Sequence, residues 1–374
     1  MASLRVALLT LGVLAGCGGN PFIDESVVEP GDPNISADNR FLWDPKNKLT
    51  MNNVEYDSEN DQLIINNLPF DGPDGRYDNT LTLVDEDATD SVNAPRVYES
   101  RQTATTGLIK HYAVFVDSTF LQGTAAAGVD WLDYGNAGVN MRRTARGLPG
   151  NSEYLYVGTY TGIRSFNYRA GLELVRGEVQ LLLDVLDFDR TEAAGGALQG
   201  DIVGTIYNRK RVDFDGSDGR DLPSISLVEV SFDPVTASWK EGEVQTAKPQ
   251  DGTIWSEGSY GGILGGPNGE EVGGFLEMEG EADIQVVAYE VVTYETESGS
   301  TATISYLSDA NLVAGYRADI LAGLELPSLI PAPDLPDGAT FISTASVPIT
   351  ISTGSAFGAR EIGVFIGDQV PPDP

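Results

Sequence analysis

The chain has very little of the chemistry on which most enzymes and metalloproteins depend. Its 374 residues include one cysteine, Cys17, and one histidine, His111. A single cysteine excludes an intramolecular disulfide, and structural zinc sites need several Cys or His ligands. Hydrolases with a serine or cysteine nucleophile need a base beside it, and only His111 could serve. We therefore expect no catalytic residue, no metal site and no cofactor, and we interpret His111 as an ordinary strand residue.

Basic residues are also scarce. The chain has 23 Lys and Arg against 56 Asp and Glu, which gives a net charge of −33. Nucleic-acid binding needs clustered Lys and Arg, and adhesion to anionic lipid needs a polybasic segment. The composition therefore argues against both kinds of partner. Acidity of this size fits either solubility in a saline medium or a basic partner, and it favours solubility because surface charge of one sign commonly serves solvation.

The apolar run at the start of the chain is too short to span a bilayer, which takes roughly 20 residues. Arg5 precedes the run Val6–Leu14, and Ala15 and Gly16 stand before Cys17. This pattern resembles a bacterial lipoprotein signal with its lipobox. We expect residues 1–16 to be cleaved as a signal peptide and Cys17 to carry acyl chains such as palmitate. The glycine after Cys17 implies a Gram-negative outer membrane, contacted through the lipid anchor only.

The remaining chain reads almost entirely as strands and turns. Residues 17–40 are rich in proline and acidic side chains and predict a flexible tether. Residues 41–150 alternate short apolar runs with dense Asp-Gly turns, which indicates a β-rich domain. Residues 153–280 carry longer strands punctuated by glycine, typical of a small antiparallel barrel. Residues 281–374 add two strands, a helix expected near 310–324, and a last apolar run.

One segment of the second block resembles a known signature. Residues 259–275 read SYGGILGGPNGEEVGGF, similar to the strand, Gly-Pro turn and Gly-Gly-aromatic strand that close the barrel domain of transferrin-binding protein B and related surface lipoproteins. The run Gly158–Gly162 and the run Gly204–Ile206 are similar to upstream strands of that barrel. The residues assigned to the signature are Tyr260, Gly261, Gly266, Pro267, Glu271, Gly273, Gly274 and Phe275.

The resemblance implies a mainly β fold, in which a handle domain over residues 41–150 precedes an eight-stranded antiparallel barrel over residues 153–280 and a mixed C-terminal extension follows. It implies a non-enzymatic outer-membrane lipoprotein at the cell surface that captures an extracellular ligand, a protein above all, and passes cargo to an outer-membrane transporter. The chain has room for one handle and one barrel, whereas transferrin receptors of this kind have two of each. A structural envelope or surface-coat lipoprotein without a specific ligand is the alternative.

Two features of the chain leave alternatives open. The run Glu361–Ile366 echoes Glu271–Leu276, so the barrel closes either at Phe275, with the tail as an addition, or at Ile366, with residues 283–353 as an insertion. The acidic run Asp213–Asp221 is either a calcium loop or a solvated hairpin turn, and the turn is favoured because Asp and Gly are turn residues first. Carboxylates are too numerous for any chosen pair to indicate a glycosidase.

Aromatic residues on loops are the strongest candidates for contact with a protein partner, since such side chains supply much of the binding energy at interfaces. The candidates are Phe166, Tyr168, Trp255 and Tyr260, which flank two of the expected barrel loops. The competing interpretation is that these rings belong to the core, because alternation turns half of each strand inward.

Replacing Cys17 with serine tests the anchor. The chain offers no other thiol for acylation, so Cys17→Ser is expected to leave the protein unprocessed or released from membranes. Fractionation of cells followed by a blot for the protein measures this. A cleaved Cys17→Ser form that still sediments with membranes would contradict the assignment.

Overall fold

The computed structural model describes residues 41–42, 51, 53–66, 68, 75–83, 94–101, 110–128, 134–187, 198–247, 254–282, 284–307, 335–352 and 357–371. All secondary-structure elements in these ranges are β-strands, which confirms the mainly β fold. Cys17, the signal peptide and the tether lie outside the described residues, as does the helix expected near 310–324. No helix of the described residues is long and apolar enough to cross a membrane.

The first domain is one antiparallel sheet in the order β1-β8-β7-β6-β5-β4-β3-β2. Met51, just before β2, donates its N–H to the Val139 carbonyl over 3.0 Å, and Asn140 Nδ2 donates to the Met51 carbonyl over 2.9 Å. These two bonds bring the start of β2 against β8, so the seven strands β2–β8 form a nearly closed sheet. Its strands are β1 (Phe41–Leu42), β2 (Asn53–Asp57), β3 (Gln62–Asn66), β4 (Arg76–Thr82), β5 (Arg96–Ser100), β6 (His111–Asp117), β7 (Leu121–Gly128) and β8 (Ala137–Arg143).

The second domain is a closed antiparallel barrel of eight strands. Its order is β10-β9-β20-β16-β15-β14-β13-β11, and β10 also pairs with β11, which completes the circle. A short strand, β12 (Asp218–Asp221), adds to β11 outside the barrel. The barrel strands are β9 (Glu153–Phe166), β10 (Leu172–Asp187), β11 (Leu198–Val212), β13 (Ile225–Ser231), β14 (Ser238–Ala247), β15 (Ile254–Gly265), β16 (Glu271–Glu281) and β20 (Gly358–Gln369).

The last strand of the chain, not the signature strand, closes the barrel. β20 pairs antiparallel with β16 on one side, from Glu271↔Asp368 to Glu281↔Gly358, and with β9 on the other. Of the two alternatives left open by the sequence, closure near Ile366 is therefore the observed one. The range 153–280 omits this strand, and residues 283–357 interrupt the barrel between β16 and β20.

The interruption carries a sheet of its own in the order β18-β17-β19. These strands are β17 (Ile284–Glu295), β18 (Thr301–Leu307) and β19 (Thr340–Ser352). Because barrel strands alternate in direction, the insertion leaves the barrel at the same end as the β9–β10 turn and the β11–β12 hairpin. We call this the insertion end. The opposite end, which carries the β13–β14 and β15–β16 turns, is the linker end, since the chain enters the barrel there from the first domain.

The two domains pack sheet against sheet through a shared apolar cluster. Leu121, Val114 and Met141 of the first sheet meet Val364 and Phe275 on the outer face of the barrel, and all five are buried. At about 25 cal/mol per Å² of apolar surface removed from water, burial of these side chains favours a fixed arrangement of the two domains. Gly123 and Gly273 lie at this contact and admit the close approach, because a side chain at either would press on Met141.

A substitution at Gly274 tests whether β16 packs closely against the Phe365 ring and β15. A Cβ there would overlap the Gly261 carbonyl oxygen and the Phe365 ring, whereas a Cβ at Gly367, on β20, stays 3.4 Å from its nearest neighbour. We expect Gly274→Ala to lower the free energy of unfolding by about 1 to 3 kcal/mol, and Gly367→Ala to lower it by much less. Urea unfolding followed by tryptophan fluorescence measures both. Equal stability of the two variants would contradict the close packing.

Candidate functional site

The signature residues form part of the barrel wall and of the joint between the domains. Along β16, Gly274 turns inward against Phe365, while Gly273 and Phe275 turn outward against the first sheet. On β15, the Tyr260 ring fills the lumen and its hydroxyl donates to the Val228 carbonyl over 2.7 Å. Because side chains alternate along a strand, the inward signature residues pack in the barrel lumen and the outward ones pack against the first domain.

Glu271 is the polar anchor of this joint on the barrel side. Its carboxylate is buried and accepts hydrogen bonds from the Ser118 hydroxyl at 2.5 Å and from the backbone N–H groups of Thr119 and Phe120 at 3.1 and 3.0 Å. These three donors belong to the β6–β7 turn of the first domain, so a barrel residue caps a handle turn. Burial raises the pKa of Glu271, and the nearby Asp368 raises it further.

Arg143 is the corresponding anchor on the handle side. Its buried guanidinium donates to the carbonyls of Ala237 at 3.1 Å, Leu264 at 3.0 Å and Thr236 at 2.7 Å. These carbonyls belong to the β13–β14 turn and to β15, so the handle in turn satisfies barrel groups. Burial lowers the pKa of Arg143 to about 10, which leaves it charged at neutral pH. The joint is therefore reciprocal, with one charged side chain inserted in each direction.

The Gly-Pro turn of the signature receives the linker between the domains. Gly266 and Gly269 have φ angles of +89° and +70°, in the left-handed region that favours glycine. Gly147 of the linker packs so tightly on the Pro267 carbonyl that a side chain would overlap it. The Tyr156 hydroxyl donates to the Gly269 carbonyl over 2.7 Å. The turn thus holds both the linker and the first barrel strand.

The lumen of the barrel is filled by its own side chains. Large rings project inward and face glycines on neighbouring strands: Trp239 lies over Gly262, and Tyr160 lies over Gly363. The Trp239 and Tyr260 rings meet edge to face with centroids 6.3 Å apart. A small closed barrel of this kind has no room for a ligand once its interior is packed. A ligand of the barrel would therefore bind on its outer surface.

Toward the insertion end the lumen holds a buried network of charged groups around Glu361. The carboxylate accepts two hydrogen bonds from Arg209 Nη2, at 2.5 and 2.6 Å, and one from the Tyr160 hydroxyl at 2.6 Å. Arg164 Nε lies 3.6 Å from the same carboxylate. All four side chains are buried, so each charge has a partner, as buried charges require. Desolvation and the adjacent Glu361 raise the pKa of Tyr160, which keeps it a hydrogen-bond donor.

A second carboxylate connects this network with the surface. Arg164 Nη1 contacts Glu173 at 2.5 Å, and Glu173 also pairs with Arg169 at 2.9 Å and Arg211 at 3.3 Å. Arg169 lies over the Phe166 ring with its Cζ 3.9 Å from the centroid. Cationic side chains therefore cluster at the β9–β10 turn of a chain whose net charge is strongly negative.

For three of the four aromatic candidates, contact with a partner is ruled out and the competing interpretation, a place in the core, is the observed one. Phe166, Trp255 and Tyr260 are buried, because each points into the barrel or its insertion end. Tyr168 is different: it is 68% exposed at the β9–β10 turn, with φ of +55°. That backbone region is strained for a residue with a side chain, by about 1 kcal/mol or more. Tyr168 is the candidate that remains available to a partner.

His111 and the acidic run 213–221, both singled out by the sequence, occupy structural positions. His111 begins β6, is buried, and packs its ring against Gly128. In the run 213–221, Asp218 pairs with Arg176 at 2.7 Å and Lys210 at 3.3 Å, so the run forms a hairpin with an ion pair. Within the described residues, no group of three or more His, Cys, Asp or Glu side chains is arranged to hold a metal ion.

Sequence reasoning missed Arg143, Arg209 and Glu361. Glu361 carried a usable signal, because it shares the inward face of its strand with Gly363 and Phe365, where a charge needs a buried partner. Nothing in the spacing of Arg143 or Arg209 indicated which carbonyls or carboxylate they contact. The carbonyls that Arg143 contacts lie 93 to 121 residues away in the chain, and Glu361 lies 152 residues from Arg209.

Comparisons with known proteins do not identify the chain. A scan with models of protein families gives no match, and a search of curated proteins gives none either. The likeness to transferrin-binding protein B therefore rests on the motifs and stays a prediction.

The pH dependence of stability tests the Glu271 anchor. A pKa raised in the folded state means that protonation favours folding, so this contribution is fully present below about pH 4.5 and is lost as the pH rises through the folded pKa. Relative to Glu271→Gln, the wild type should gain stability as the pH falls from about 7 to about 4. Urea unfolding at both pH values measures the difference.

Glu279→Gln, which removes an exposed carboxylate from the same strand, controls for the loss of one surface charge. A difference in the free energy of unfolding between wild type and Glu271→Gln that stays constant with pH would show that burial does not raise the pKa of Glu271.

Proposed function

We propose that the protein is a non-enzymatic lipoprotein, anchored by Cys17 to the outer membrane of a Gram-negative bacterium, that captures an extracellular protein on its outer surface. The observation that carries the proposal is the filled barrel lumen: Trp239, Tyr260 and Tyr160 occupy the space that a small-molecule carrier would leave open. Binding on the outer surface suits a macromolecular partner, because extended contacts there replace an enclosing pocket.

The β9–β10 turn supports capture over a structural coat. An exposed ring beside a cation, Tyr168 and Arg169, is the kind of feature that anchors protein interfaces. The turn is held firmly from below, since Asn167 N–H donates to the Gly358 carbonyl over 3.2 Å and Gly358 N–H donates to Asn167 Oδ1 over 2.6 Å. A preorganised turn loses little conformational entropy on binding. A coat protein would need neither the exposed ring nor its strained backbone.

The resemblance to transferrin-binding protein B supplies the remainder of the proposal. It implies that the body faces the medium and that an outer-membrane transporter receives the cargo. The first sheet and the closed barrel agree with the handle and barrel that such lipoproteins have, and this agreement supports the proposal at the level of architecture.

Tyr168→Ala tests the capture surface, with Val235→Ala as its control. Val235 is 73% exposed at the linker end of the barrel, so its truncation removes exposed apolar surface from the opposite end. Protein immobilised through its anchor end is incubated with native medium, and bound proteins are identified and quantified by mass spectrometry. We expect wild type and Val235→Ala to retain the same partner and Tyr168→Ala to lose it by about tenfold or more.

Equal capture by a folded Tyr168→Ala variant would place the surface elsewhere. Absence of any captured protein would favour the envelope or surface-coat alternative.

A further inference from the structure

The insertion sheet has an edge that no other described strand covers. β19 pairs with β17 from Glu295↔Thr340 to Ile284↔Ser352, with one register shift between Tyr294↔Phe341 and Thr293↔Ser343, and no described strand pairs with its other side. The seven residues from Phe341 to Val347 are all exposed. An uncovered strand edge presents a row of backbone donors and acceptors to which another strand can add.

This edge lacks the charges with which proteins commonly protect such strands. Residues 340–359 contain no Asp, Glu, Lys or Arg, in a chain of which 21% is charged. Phe341, Ile342 and Val347 are 56%, 49% and 42% exposed. Pro348 has no N–H, so it ends the usable edge and leaves the eight residues 340–347, a common length for one strand.

The charges around the edge indicate what could add to it. At the Thr340 end, Glu295 is the register partner of Thr340, and a groove is lined by Glu297 and Asp337. All three carboxylates are exposed, and the described insertion residues, 284–307 and 335–352, include no Lys or Arg. A basic side chain at this end would be attracted, whereas a second copy of the chain would bring another charge of −33.

We propose that the free edge of β19 binds an extended, uncharged segment of a partner protein by strand addition, and that a Lys or Arg at one end of the segment enters the groove between Glu297 and Asp337. Main-chain hydrogen bonds supply the affinity, and the acidic groove sets the register and direction. In antiparallel addition, the basic residue stands at the C-terminal end of the partner segment, because β19 begins at Thr340. The inference goes beyond capture through Tyr168 and is independent of it.

The test uses the full-length protein and fluorescent eight-residue peptides of alternating valine and threonine. One peptide carries a C-terminal lysine, a second carries glutamate there, and a third is the lysine peptide with two N-methylated amides on its bonding edge. Fluorescence polarisation is expected to show binding of the lysine peptide, weakened by about tenfold or more by N-methylation, since two main-chain hydrogen bonds are lost. The glutamate peptide is expected to bind about two- to fivefold more weakly than the lysine peptide.

The double variant Glu297→Gln/Asp337→Asn should show a much smaller preference for the lysine peptide over the glutamate peptide than the wild type does. The control variant Glu243→Gln/Asp221→Asn, which removes two exposed carboxylates of the second domain, should keep the full preference for lysine. Tyr168→Ala should bind the peptides as wild type does, which separates this outcome from that of the capture experiment. No binding of the lysine peptide, equal binding of the N-methylated peptide, or self-association of the protein that blocks the peptide would overturn the proposal.

Discussion

The pairing of β20 between β16 and β9 is the interaction on which the rest of the structure depends. It joins a strand that ends at Gln369 to one that begins at Glu153, and without it the barrel is an open sheet with two bare edges. Both faces of β20 are buried. Phe365 and Glu361 project into the lumen, while Ile362, Val364 and Ile366 pack against the first domain. Closure, lumen packing and domain docking are therefore coupled through one strand.

The lumen combines packed rings with a buried ionic network. Rings placed over glycines fill most of the space by shape, and such close packing excludes water. In the polar part of the lumen, Glu361 accepts hydrogen bonds from Arg209 and Tyr160, so the charges of Glu361 and Arg209 are paired. Removal of one partner from such a network is costly, because it leaves a buried charge without a partner. Because side chains fill the lumen, a partner would bind on the outer surface of the barrel.

The outer surface divides into regions of different character. One side of the barrel is covered by the first domain, and the Glu271 and Arg143 anchors lie at its linker end. The insertion end carries both the exposed Tyr168 and the uncharged edge of β19. Two surfaces of different chemistry, one aromatic and cationic, the other a neutral strand edge, thus lie at one end of the molecule.

The sequence by itself determined the fold class and the character of each strand. Period-two alternation and glycine-rich runs predicted β structure and a small antiparallel barrel, because side chains on a strand alternate between its faces and glycine admits close neighbours. The number of eight strands came from the resemblance to the barrel of transferrin-binding protein B. Only the tertiary structure decided which strand closes the barrel and which aromatic residues stay exposed. Phe166 and Tyr168 lie two residues apart, yet one is buried and the other is not, because the turn between β9 and β10 begins between them. Local sequence patterns could not predict the partners of Arg143 and Glu361, since those of Arg143 depend on how the two domains pack and those of Glu361 on how the barrel closes.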